Sequence, residues 1–136
     1  MPRLVSMGLL MALMMLAAPQ SASAAEPLVS IDWVKANLGK PGIVFLDVRS
    51  GGGVTKEWYL KGHIPGAVFT DYGKSGWRAK TAAGVAGQLP APEKLEQVIG
   101  RHGIDNSTHV VLIAEGRAAA DMGAATRLYW TFKVLG

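Results

Sequence analysis

The sequence predicts an α/β fold, and three observations carry that reading. Two continuous apolar runs, Ile43-Val44-Phe45-Leu46 and Val110-Val111-Leu112-Ile113, have the length and β-branched content of parallel strands covered on both faces. Segments with helical periodicity and capping signals alternate with them. The composition, 49% hydrophobic and 18% charged, supports a packed core and excludes a disordered chain. At 136 residues the chain has room for one small domain.

The N-terminus is set apart from that domain. Arg3, an uncharged stretch over residues 9–18 rich in Leu, Met and Ala, and the small residues Ala22-Ser23-Ala24 form the three parts of a secretory leader. Residues 1–24 are therefore expected to be a signal peptide and residues 25–136 the exported domain. The apolar stretch falls short of the ~20 residues that a spanning helix needs, which argues against an uncleaved anchor and against a membrane partner after cleavage.

Within the domain, Ser30 is placed to cap a helix over residues 31–38, with Ile31, Val34 and Leu38 on one face and Gly39 as its stop. The first buried strand follows Pro41-Gly42 and ends at polar Asp47. Glycines at positions 51–53 open a loop, residues 56–61 suit one or two helical turns ended by Gly62, and Ala67-Val68-Phe69 reads as a short strand. Residues 71–89 lose all periodicity and are expected to form an irregular surface loop. Pro92 opens the next helix, whose stripe Leu95, Val98, Ile99 runs toward Gly103, with Ile104 folding back on it. In the turn Asp105-Asn106-Ser107, Asn106 and Ser107 are expected to bond their own backbone. That explains Asn106-Ser107-Thr108 better than its match to a glycosylation pattern. After the second buried strand, a helix is expected from about Ala118 toward Val134, with Tyr129, Trp130 and Phe132 facing the sheet. Such a helix normally delivers the chain into another strand, so the final strand of the sheet is expected to lie beyond Gly136.

The chemistry is bounded by what is absent. With no cysteine there is no disulfide, no Cys-ligated metal and no thiolate nucleophile. The net charge of +4 suits small anions, but the Lys and Arg residues are scattered singly, which argues against nucleic acid. No phosphate loop, dinucleotide fingerprint or Ser-His-Asp elbow is present, and no cofactor is expected. His63 has no second ligand at useful spacing, since His102 and His109 are distant, so its ring is expected to bond nearby backbone and fix a turn instead of holding a metal. Asp47 and Arg49 form either a buried-edge ion pair or partners for loop amides. Residues 114–119 join a strand to a helix N-terminus, where amides and the helix dipole favour an anion and Arg117 can add a charged hydrogen bond. The plainer reading is a turn with Arg117 in solvent. Arg49 and Arg117 both follow strand ends, the side on which open α/β folds place ligand crevices, and are candidates for holding an anion or positioning a loop.

Asp47-Val48-Arg49, Gly62-His63-Ile64-Pro65-Gly66-Ala67 and Gly116-Arg117 occur in an order and spacing that resembles a rhodanese domain. The resemblance continues through Tyr59, Asp71-Tyr72, Leu89-Pro90 and Arg127-Leu128-Tyr129-Trp130-Thr131-Phe132, over nearly the whole exported segment. It is strongest to the N-terminal half of two-domain thiosulfate or 3-mercaptopyruvate sulfurtransferases. It implies an open parallel sheet with helices on both faces, and a structural role for Asp47, His63, Pro65, Gly66 and Asp71. It also implies that the position after the second buried strand, a persulfide-carrying cysteine in active domains, holds Ala114, so no catalytic residue is expected. The partners implied are a second rhodanese domain in cis beyond Gly136 and a small anionic sulfur donor, with cyanide or a thiol as acceptor. Leader and family together imply a bacterial periplasmic or secreted location. The alternative is a stand-alone, catalytically dead module that binds an anion or a protein in the cell envelope.

Overall fold

The computed structural model describes residues 27–49 and 56–136. The leader expected over residues 1–24 and the glycine loop at 51–53 lie outside them. The elements are α1 (Ile31–Ala36), β1 (Ile43–Asp47), α2 (Lys56–Lys61), β2 (Val68–Phe69), β3 (Ala79–Lys80), β4 (Ala86–Gln88), α3 (Pro92–Gly100), β5 (His109–Ile113) and α4 (Ala119–Leu135).

Both apolar runs became strands and pair directly. β1 and β5 are parallel, from Ile43 opposite His109 to Asp47 opposite Ile113, and β2 joins the other side of β1 with Leu46 opposite Val68. The sheet order is β2-β1-β5. Because side chains alternate across a strand, each run supplies two faces. Val44, Leu46, Val110 and Leu112 pack with Leu95 and Val98 of α3 and Leu128 and Phe132 of α4. Phe45, Val111, Ile43 and Ile113 pack with Trp33 and Val34 of α1 and with Ile64. Helices therefore cover both faces of a parallel sheet, as expected. Truncating a fully buried member such as Leu128 to alanine costs about 2 to 5 kcal/mol.

Two expectations are corrected. The stretch 71–89 is not wholly irregular, because β3 and β4 form an antiparallel hairpin. Its anchor is Trp77, fully buried, whose Nε1 donates to Thr70 Oγ1 at 2.7 Å. Gly76 makes room for that anchor, since at φ +97° a Cβ would meet Val98 Cγ2 at 3.1 Å. Arg127 of α4 ties the hairpin down by donating to the Gly87 carbonyl at 3.0 Å. The second correction concerns α4, which turns Phe132 to the core but leaves Tyr129 and Trp130 about half exposed. Three consecutive aromatic or apolar positions span more of a helix than one buried stripe, and Leu128, Thr131 and Phe132 already fill it. Cations cover the exposed rings instead: Arg127 lies 4.7 Å from the centre of Trp130 and Lys133 lies 5.8 Å from that of Tyr129. Among the described residues no helix is long and apolar enough to cross a membrane.

Candidate functional site

The carboxyl ends of β1 and β5 lie side by side, because Asp47 and Ile113 are register partners. A cleft of about 500 Å³ opens there, lined by Asp47 and Arg49 after β1, by Gly62, His63, Ile64 and Pro65 from the α2–β2 connection, and by Ile113, Ala114 and Glu115 after β5. Open α/β folds place ligand crevices on this side.

The α2–β2 wall is fixed by its own sequence. Gly62 closes α2, and its amide donates to the carbonyls of Trp58 and Tyr59, each at 3.2 Å. His63 Nδ1 lies 2.7 Å from the Tyr59 carbonyl, which only accepts, so Nδ1 carries the proton there. The imidazole also stacks on the Tyr59 ring, with centres 3.9 Å apart. The expected bond from the His63 ring to nearby backbone is present. Tyr59 in turn donates its hydroxyl to the Ala67 carbonyl at 2.6 Å. Between these ties, Ala67 N–H donates to Ile64 O at 2.9 Å, with Pro65 and then Gly66 at φ +78° in the middle. That is the pattern of a type II turn, which takes proline first and needs a positive φ second.

The β1 wall is an ion pair. Asp47 is fully buried, and Arg49 donates from Nε and Nη2 to both its carboxylate oxygens at 2.7 to 3.0 Å. The same Nη2 donates to the Gly62 carbonyl at 2.8 Å, and the Arg49 amide donates to Asp47 Oδ1 at 3.1 Å. Of the two readings left open, the ion pair and the loop-amide contact, both hold at once. The hydrogen bond to Asp47 raises the Arg49 guanidinium above its already high ordinary value. Burial opposes that, while attraction to Asp47 and Glu115 adds to it.

On the third wall, Arg117 Nε donates to Glu115 Oε1 at 2.7 Å, and its guanidinium lies 5.7 Å from the centre of the Trp58 ring. Asp121, in the first turn of α4, accepts from the amides of Arg117 at 2.9 Å and Ala118 at 2.7 Å through one oxygen, Oδ2. Glu115 and Asp121 were not singled out from sequence. An acid in the first turn of a helix is a readable capping signal for Asp121, whereas no spacing rule marks Glu115. Asp71 lies outside the cleft lining, where Oδ1 accepts from the amides of Gly73 at 2.9 Å and Lys74 at 3.1 Å to close a turn after β2. The structure thus gathers Asp47, Arg49, His63, Pro65 and Ala114 around one cleft, sets Gly66 beside it and Arg117 at its rim, and leaves Asp71 apart.

Residues 30–135 match the rhodanese-like domain. The chain belongs to the rhodanese family. Among its relatives are thiosulfate/3-mercaptopyruvate sulfurtransferase 1, mitochondrial, of Arabidopsis thaliana, 32% identical over 128 aligned residues covering 85% of this chain and 30% of the relative. Thiosulfate sulfurtransferase of Bos taurus is 35% identical, covering 80% of this chain and 37% of its own length. The 3-mercaptopyruvate sulfurtransferase of Escherichia coli is 28% identical, covering 79% and 38% respectively. This rhodanese chain therefore spans between 30% and 38% of the length of these relatives. No solved structure gives a significant match. Within the rhodanese cleft, Ala114 presents a methyl group at the end of β5, and the chain has no cysteine anywhere. Among the described residues the lining offers carboxylates, guanidinium and imidazole, and no thiolate to carry a sulfane sulfur. Among the described residues no group of His, Asp and Glu is arranged to hold a metal ion.

Proposed function

We propose that this chain is the non-catalytic N-terminal domain of an exported two-domain sulfurtransferase, which moves sulfane sulfur from thiosulfate or 3-mercaptopyruvate to cyanide or a thiol. The observation that carries the reading is Ala114: it stands on the cleft immediately after β5, the position that the family resemblance gives to the persulfide-bearing cysteine. In this reading the thiolate, and the site for the anionic donor, belong to a second rhodanese domain in cis. The first domain packs against that second domain and helps to wall its cleft. Arg49 and Arg117 then act as positioning groups, since a guanidinium stays protonated at any working pH and each is bonded to a carboxylate of its own chain. The leader-like residues 1–24 support a periplasmic or secreted location.

The test has two arms. Residues 25–136, purified free of other enzymes, should form no thiocyanate from thiosulfate and cyanide above the uncatalysed rate. The coding frame beyond Gly136 should continue into a second rhodanese domain with a cysteine at its strand-to-helix turn. Turnover by the chain alone would sink the non-catalytic assignment, and a stop codon after Gly136 would sink the two-domain one.

A further inference from the structure

Two features of the turn between β5 and α4 attract anions, and each is already occupied. The amides of Arg117 and Ala118 point at Asp121 Oδ2, at 2.9 and 2.7 Å. The guanidinium of Arg117 donates to Glu115 Oε1 at 2.7 Å. We propose that Glu115 and Asp121 are the resident anions of this turn, so that the native chain accepts no external anion between β5 and α4.

The charge balance supports the assignment. Two guanidiniums, Arg49 and Arg117, face the carboxylates of Asp47 and Glu115, and each has a partner within 2.7 Å. Glu115 also acts on Arg49 from the far side of the cleft, so the four groups alternate in sign and sum to zero. The Glu115 side chain is only 14% exposed, which strengthens its hold on Arg117 over that of a fully solvated pair. A doubly charged anion such as thiosulfate entering the turn would have to displace Asp121 from two amides and confront Glu115 at the same time. Like-charge opposition of that kind is a device of specificity, excluding one ligand class without contributing contacts to another. The inference concerns binding and stands apart from the sulfurtransferase reading, because a chain without a thiolate could still hold a donor.

The experiment uses the full chain and three variants, Glu115→Ala, Asp121→Ala and the double change, titrated with sodium thiosulfate and sodium sulfate against chloride at matched ionic strength. Thermal unfolding and the amide resonances of Arg117 and Ala118 are the readouts. The native chain should show no saturable response. The double variant should gain a saturable rise in melting temperature and saturable shifts of both amide resonances, through the freed guanidinium and the freed helix N-terminus. Saturable movement of the Arg117 and Ala118 amides in the native chain would overturn the proposal, and so would folded variants that gain no response. Should Asp121→Ala fail to fold, Glu115→Ala alone decides, since it frees Arg117 without touching the helix cap.

Discussion

Arg49 grips Asp47 across a single intervening residue, donating from two nitrogens to two oxygens, with the carboxylate fully buried and the guanidinium reaching on to Gly62. The contact therefore joins the end of β1 to the α2–β2 connection and closes one wall of the cleft. A buried carboxylate on a strand end costs desolvation energy, and Arg49 is the group that offsets it.

The two arginines of the cleft should differ sharply when neutralised. Arg49→Met leaves Asp47 buried without its partner and should cost about 3 to 5 kcal/mol, measured by urea unfolding. Arg117→Met removes a pair whose arginine is 60% exposed but whose Glu115 is only 14% exposed, and should cost less than Arg49→Met, about 1 to 2 kcal/mol. Equal losses would show that burial does not distinguish the pairs. Asp47→Ala combined with Arg49→Met should cost less than the two single losses added, since the double change leaves no orphaned charge.

Gly66→Val should destabilise more than His63→Ala. Gly66 sits at φ +78° with nothing near its missing Cβ, so the strain falls on the backbone and not on a neighbour. A β-branched residue in that region is an outlier. His63→Ala removes one hydrogen bond and one stacked ring at an exposed position. Denaturation midpoints of the two variants decide the order, and a larger loss for His63→Ala would reverse the argument.

How much of this could be read from the sequence depended on whether a residue's role was repeated by its neighbours. Strands β1 and β5 were legible because four apolar residues in a row leave few alternatives, and so was the Ser30 cap, whose hydroxyl accepts from the Trp33 amide at 3.1 Å, because a serine ahead of a helix has one main use there. The β3–β4 hairpin was not, since strands of two and three residues show no alternation and their anchor, Trp77, lies outside both. Tyr129 and Trp130 misled because sequence gives apolar content but not how wide a stripe the sheet can cover. The cleft's composition was legible through Asp47, Arg49, His63 and Ala114. Its charge balance was not, because that rests on Glu115 meeting Arg117 in three dimensions.

The turn before β5 supplies a pH prediction. Its hydrogen bonds converge on Asp105 and not on Asn106: Asp105 Oδ1 accepts from the Ser107 hydroxyl at 2.7 Å, the Ser107 amide at 2.9 Å and the Thr108 hydroxyl at 2.9 Å. The Ser107 hydroxyl, then its amide, then Thr108, hold the carboxyl below its ordinary value, against a small opposing desolvation. A folded value below the unfolded one stabilises the fold fully above the unfolded value, near about 3.9, and the contribution disappears as pH falls through the folded value. Asp105→Asn should therefore flatten the acid limb of melting temperature against pH below about pH 4. An unchanged limb would mean that the turn does not couple to folding.

The open side of β5 gives a last prediction, one that needs no mutation. In a parallel ladder, residues whose backbone bonds one neighbour alternate with residues that face the other side. His109 N–H donates to Gly42 O at 2.7 Å, and the Ile113 carbonyl accepts from Val48 N–H at 3.0 Å. His109, Val111 and Ile113 therefore turn their backbone toward β1, and Val110 and Leu112 turn theirs away from it. Among the described residues β5 pairs with β1 alone. The amides of Val111 and Ile113 should accordingly exchange with solvent at least about tenfold more slowly than those of Val110 and Leu112. Equal protection in a monomeric sample would contradict the open edge. Protection of Val110 and Leu112 that appears only as concentration rises would identify a second copy adding its strand there, the usual hazard of an uncovered edge. The two-domain proposal adds a sharper outcome: in a polypeptide that continues past Gly136, both amides should be protected at every concentration, because the strand expected after α4 would lie parallel to β5 and accept those bonds.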